Sequence, residues 1–152
     1  MIHAHNLLRW VVLILALLTI IKSLGGLSGK KAFTPGDRKV TLFFMISMDI
    51  QLLIGLVLYF TGAWGIKNIQ QQGMANVMKD AASRFFAVEH LVGMLLAIIF
   101  AHVAYSFAKK PIADQKKFQR IFLFSLLSLL VMLATIPWPG RPMIGRPMFP
   151  GM

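Results

Sequence analysis

Cysteine is absent from this chain. That absence excludes disulfides, thiolate metal sites, iron–sulfur clusters, covalently attached c-type haem and a thiol nucleophile, and it leaves the redox compartment open. Acidic residues are scarce: five Asp and Glu stand against sixteen Lys and Arg. Charged residues make up 14% of the chain, whereas a soluble domain carries about a quarter. Apolar residues fill the gap, at 57% of 152 residues and a mean hydropathy of +0.71. A chain of this length is one domain's worth of material, and one small core cannot hide so much apolar surface. Lipid can take it.

The apolar residues fall into four runs, over residues 7–24, 40–60, 85–107 and 118–138. Each is about long enough to cross a bilayer, which takes roughly 20 residues as a helix. The fold class expected is therefore all-α, a four-transmembrane-helix bundle over residues 1–138, followed by a Pro/Gly-rich extended tail over 139–152. The first run lacks the basic start and small-residue cleavage site of a signal peptide, reading LGGLSGKKAF where a site would fall, and is kept as a helix. Between the second and third runs, Ile66, Ile69, Met74, Val77 and Met78 recur at near-helical spacing among Gln70, Gln71, Asn76 and Lys79. A short amphipathic helix on the membrane surface fits that pattern, with Gly73 as its weak point. The tail's repeated prolines, in IPWPGRPMIGRPMFPGM, exclude a helix, and the expectation is a loose segment.

A net charge of +11 in a soluble protein would suggest nucleic acid. Here the basic residues sit in loops at membrane edges, and no basic helix or aromatic platform lies outside the spans, so no nucleic-acid partner is expected. Lys22, Lys30, Lys31, Arg38 and Lys39 fill the first loop; Lys109, Lys110, Lys116, Lys117 and Arg120 fill the third. The opposite side holds fewer. By the positive-inside rule those two loops are cytoplasmic and both termini lie outside, which also gathers Trp10, Trp64 and Trp138 at the outer interface.

Function in such a chain is sought among the polar residues placed in or near the spans, because they are expensive there. His5 and His90 begin the first and third spans and share a depth near the outer end. Two imidazoles on neighbouring helices can clamp a haem iron from both sides. Gly93, Ala97 and Ala101 come after His90 on or near its helix face and would open a slot for a flat macrocycle. Arg9 and Arg84 lie within two turns and could meet its propionates. The alternative is plain: small residues on a membrane helix serve packing, His5 (like His3) is solvated, and Glu89 pairs with Arg9. Asp49 and His102 form a second constellation, both roughly 10–14 Å from the inner boundary at 1.5 Å per residue. They suit a proton relay or a quinone-headgroup site, or a buried hydrogen bond that fixes packing. His90 and His102 lie 12 positions apart, turned about 120° from one another, and Asp49 stands where an inner ligand would be wanted. One haem is therefore plausible and two are not supported. A zinc motif, a Ser/His/Asp triad and a phosphate loop are not found in these residues.

HNLLRWVVL at the start, RFFAVEHLVGM in the third span and IPWPGR near the end together resemble a set of small bacterial four-helix membrane proteins labelled cytochrome b-like. The resemblance covers nearly the whole chain. It implies a b-type haem held by helix histidines, here His5 and His90, and a role in membrane electron transfer; quinone or a respiratory complex is the expected partner, and the bacterial inner membrane the expected location. Asp49 departs from a fuller b-type site, which would want histidine in the second span. The expected function is thus a single-haem electron carrier that transforms no soluble substrate alone. Its rivals are a cofactor-free accessory subunit of a larger membrane complex and a small proton-coupled carrier using Asp49 and His102.

Overall fold

The stretch Thr34 to Asp37 starts a long helix for a local reason. Thr34 Oγ1 accepts from the Asp37 N–H at 3.3 Å, and the Asp37 carboxylate accepts from the Thr34 N–H at 2.9 Å. Pro35 takes the first helical position, where no N–H is needed. The computed structural model describes residues 1–149; the last three positions of the expected tail, 150–152, lie outside the described residues. Four long helices dominate: α1 (Ile2–Ser28), α2 (Pro35–Thr61), α6 (His90–Lys109) and α7 (Asp114–Thr135). All four are long and apolar enough to cross a membrane. Short helices α3 (Ile66–Gln72), α4 (Met74–Lys79) and α5 (Ala81–Arg84) lie between α2 and α6, and no strand occurs among the described residues. The chain is an all-α four-helix bundle.

The four long helices form a square in which α1 packs on α2 and α7, and α6 packs on α7 and α2. Val12, Leu13, Ala16, Phe44, Met48 and Met132 are among the residues that fill the centre. Outward positions stay apolar, as lipid requires: Leu53, Ile21 and Val92 are all well exposed. At the end that carries the α1–α2 and α6–α7 loops, Lys22 Nζ meets Asp37 Oδ1 at 3.1 Å, and Gln115 donates to the carbonyls of Gly26 and Lys31. Phe118, buried, lies directly against Gly26, where a Cβ would collide with its ring.

The other end, which carries the chain start and the tail, is more elaborate. The amphipathic segment is helical but broken at Gly73, whose φ of +77° is cheap only for glycine. α7 stops at Thr135, and Ile136 is extended (ψ 134°) because the adjoining Pro137 disfavours helix there. The tail, expected loose, is packed. Ile144 is buried against Ala82 and Phe85, and the Arg146 guanidinium lies over Phe86 at 4.5 Å and Trp64 at 5.3 Å. The Met148 carbonyl accepts from Arg9 Nη2 at 2.6 Å and Trp10 Nε1 at 3.2 Å, while Phe149 stacks on Trp10 at 5.4 Å. The prolines bar a helix, but Ile144, Arg146 and Phe149 carry enough apolar and cationic surface to anchor the segment. Removing the Arg9 clamp should free it. Arg9→Gln is expected to speed proteinase K cleavage within residues 139–149 about tenfold or more in detergent, since a hydrogen bond from a charged donor is worth about 1.5–3 kcal/mol. An unchanged cleavage rate would show that Arg9 does not hold the tail.

Candidate functional site

His5 lies on α1 because that helix begins at Ile2, ahead of the expected span. His90 opens α6, directly after a π-helical turn, Phe85–Glu89. Such a turn inserts an extra residue and re-aims the side chains beyond it, and nothing in the hydrophobic pattern announces it. The structure brings the two imidazoles together: their ring centres are 6.3 Å apart with planes inclined at 69°. Phe85 stands beside them, its ring 5.9 Å from that of His90.

Each histidine is held differently. His90 Nδ1 lies 2.8 Å from the Thr135 carbonyl oxygen, which can only accept. The proton therefore sits on Nδ1, and in the neutral ring Nε2 keeps its lone pair. This contact exists because α6 and α7 nearly touch one turn below. Any side chain at Gly93 would overlap Thr135, so glycine there lets the Thr135 backbone reach His90. His5 is fixed through its backbone, whose carbonyl accepts from Gln51 Nε2 at 2.9 Å. Its own Nδ1 is buried with no hydrogen-bond partner. Gly55 faces the ring, and a Cβ built there would lie 3.2 Å from His5 Cε1. His3 is exposed and joins no metal-holding group among the described residues.

The slot expected along Gly93, Ala97 and Ala101 is filled. Ser128 Oγ donates to the Ala97 carbonyl at 2.8 Å, Thr135 covers Gly93, and Ala97 and Ala101 are fully buried. Close helix packing has taken those positions, as small residues on membrane helices permit. The arginines are engaged as well. Arg84 Nε pairs with Glu89 Oε1 at 2.6 Å, and its Nη1 donates to the Met78 carbonyl. Glu89 thus belongs to Arg84 across the π turn, where the alternative reading paired it with Arg9. Arg9, only 7% exposed, sits between Trp10 and Trp138 with its guanidinium 5.3 and 5.9 Å from their centroids. Its Nη2 bonds the tail, and its Nε is buried without a partner.

Asp49 and His102 also meet, with His102 Nε2 2.8 Å from Asp49 Oδ1. The pair bridges α2 and α6 but is not buried: the side chains are 38% and 48% exposed, on the outer face of the bundle. A hydrogen bond hidden in the core was one expectation, and the square packing puts it on the lipid-facing side instead.

No protein-family model, curated protein or solved structure matches the chain. Function is read from the side chains themselves. Among the described residues no group of three or more His, Cys, Asp or Glu is placed to hold a metal ion, so the donors at this end are two imidazoles. Two imidazoles bonded at about 2 Å to opposite sides of one ion put their ring centres about 6 Å apart, which is close to the spacing here. Nitrogen-15 spectra of histidine-labelled protein should show His90 as the Nδ1–H tautomer in the metal-free state. Gly93→Val, which pushes Thr135 away, should return that signal to the tautomer mixture of a free imidazole. An Nε2–H tautomer in the parent protein would refute the Thr135 contact.

Proposed function

We propose that the chain is a membrane electron carrier that holds a single b-type haem through His5 and His90. One observation supports this above the others. His90 makes the hydrogen bond that metal-ligating histidines commonly make, from Nδ1 to a backbone carbonyl, which leaves Nε2 as a donor beside a second imidazole. The orphaned Nδ1 of His5 fits the same reading. Because α7 fills the other side of α6, a macrocycle would lie on the side of α1 and α2. A haem supplies one-electron chemistry when bound. The chain's own part is to fix two ring orientations, exclude water with Phe85 and present buried positive charge from Arg9. Arg9 Nε is the unpartnered donor that a propionate would satisfy; Arg84 would have to leave Glu89 to contribute.

The same proposal includes orientation. The basic loops at the α1–α2 and α6–α7 end make that end cytoplasmic in a bacterial inner membrane, so both termini and the histidine pair lie near the outer surface. Electrons would be exchanged with quinone or a respiratory partner. The Asp49–His102 pair, on the opposite face of α6 from α7, takes no part in this reading.

Visible spectra decide it. Protein purified in detergent from haem-replete cells should show, after dithionite, the sharp α-band of a low-spin b haem. His90→Ala should lose it, and Gly55→Leu should lower haem occupancy by about tenfold or more by crowding His5. Colourless parent protein would end the proposal. A normal spectrum in His5→Ala would move the second ligand elsewhere.

A further inference from the structure

Asp49 and His102 lie well inside the spans, near the middle of α2 and two turns from the end of α6, yet both side chains are exposed, at 38% and 48%. Polar side chains within a bilayer ordinarily face the bundle or a partner, because hydrocarbon offers them nothing. The hydrogen bond between them satisfies His102 Nε2 and Asp49 Oδ1 only. His102 Nδ1 and Asp49 Oδ2 have no partner among the described residues.

The pair has a property that a lone polar residue lacks. Low dielectric favours a net-neutral pair, either carboxylate with imidazolium or carboxylic acid with imidazole. Both forms leave one donor at Nδ1 and one acceptor at Oδ2. A surface carrying one of each is complementary to itself. Rotation by 180° about an axis along the membrane normal brings the Nδ1–H of one copy to the Oδ2 of the other, twice over, as an isologous interface requires. Apolar residues flank the pair, with Ile46, Ile50 and Leu53 on α2 and Ile99 on α6 all exposed. The α1–α7 side of the square carries exposed apolar residues such as Leu130 but, among the described residues, no comparable pair.

From this donor–acceptor symmetry we infer that the α2–α6 face docks a second copy of this chain in the membrane, with the two Asp49–His102 pairs closing a four-membered hydrogen-bonded ring. The absence of cysteine makes the test clean. Leu53→Cys lies one turn from Asp49 on the proposed interface, and Leu130→Cys lies on the far side. The full chain is placed in phosphatidylcholine vesicles at increasing lipid dilution and oxidised with copper phenanthroline.

A double-mass disulfide species is expected for Leu53→Cys and not for Leu130→Cys. Adding Asp49→Leu with His102→Leu should lower its yield at a fixed dilution by about tenfold, the range of interhelical hydrogen bonds in membranes. The exchanged pair, Asp49→His with His102→Asp, keeps one donor and one acceptor and should restore it, which guards against a misfolded double variant. The proposal fails if the chain stays monomeric in vesicles that contain no other protein, which would assign the face to a different protein or a lipid-soluble ligand. It also fails if Leu130→Cys cross-links as well as Leu53→Cys, or if removing both polar groups leaves the yield unchanged.

Discussion

Backbone contact between α6 and α7 is the constraint on which the rest of the structure depends. In a bilayer, apolar side chains gain little by leaving lipid for one another, so helices associate through close packing and hydrogen bonds. Gly93, Ala97 and Ala101 let α7 approach, and the approach is secured by Ser128 on the Ala97 carbonyl. One turn above, the same closeness delivers the Thr135 carbonyl to His90. Packing and site geometry are thus a single arrangement: a wider helix pair would leave the imidazole free to turn and its tautomer undefined.

A different physics governs the end of the bundle that holds the tail. There the chain carries arginine without enough carboxylate to balance it, and each guanidinium is matched to carbonyl oxygen or aromatic faces. Arg9 lies between tryptophans and on the Met148 carbonyl, Arg146 over Phe86 and Trp64, and Arg141 over Phe85 while donating to the Ala134 carbonyl. Only Arg84 has an acidic partner there among the described residues. Together these contacts draw the proline-rich tail back over the helices. At the loop end the connections are short, and lysines mostly take the place of arginine, Lys22 on Asp37, Lys110 over Phe107 and Lys117 over Phe33. The two ends thus differ in which cation predominates and in whether a tail folds back over them.

The two polar pairs inside the spans also contrast. His5 and His90 lie where α1 approaches α6 across the bundle, with buried Phe85 beside His90. Asp49 and His102 lie on a seam that faces outward. Equal depth brought each pair together, but rotation about the helix axis decided whether it served the interior or the surface. The functional reading of the first pair as haem ligands and that of the second as a contact between copies both rest on that rotation.

Sequence alone determined the four spans, the break-prone amphipathic segment and the matched depths of both pairs, because hydropathy and rise per residue act along the chain. The depth of His5 relative to His90 needed only counting. Whether the small residues after His90 opened a slot or admitted a helix could not be counted, since it depended on what α7 brought opposite them. The π turn before His90, the Glu89 partner of Arg84, the backbone carbonyl at Thr135 and the folded tail were likewise settled only in three dimensions. Those features are set by rotation and by contacts between residues distant in the chain, and a one-dimensional pattern holds no information on what stands across a gap.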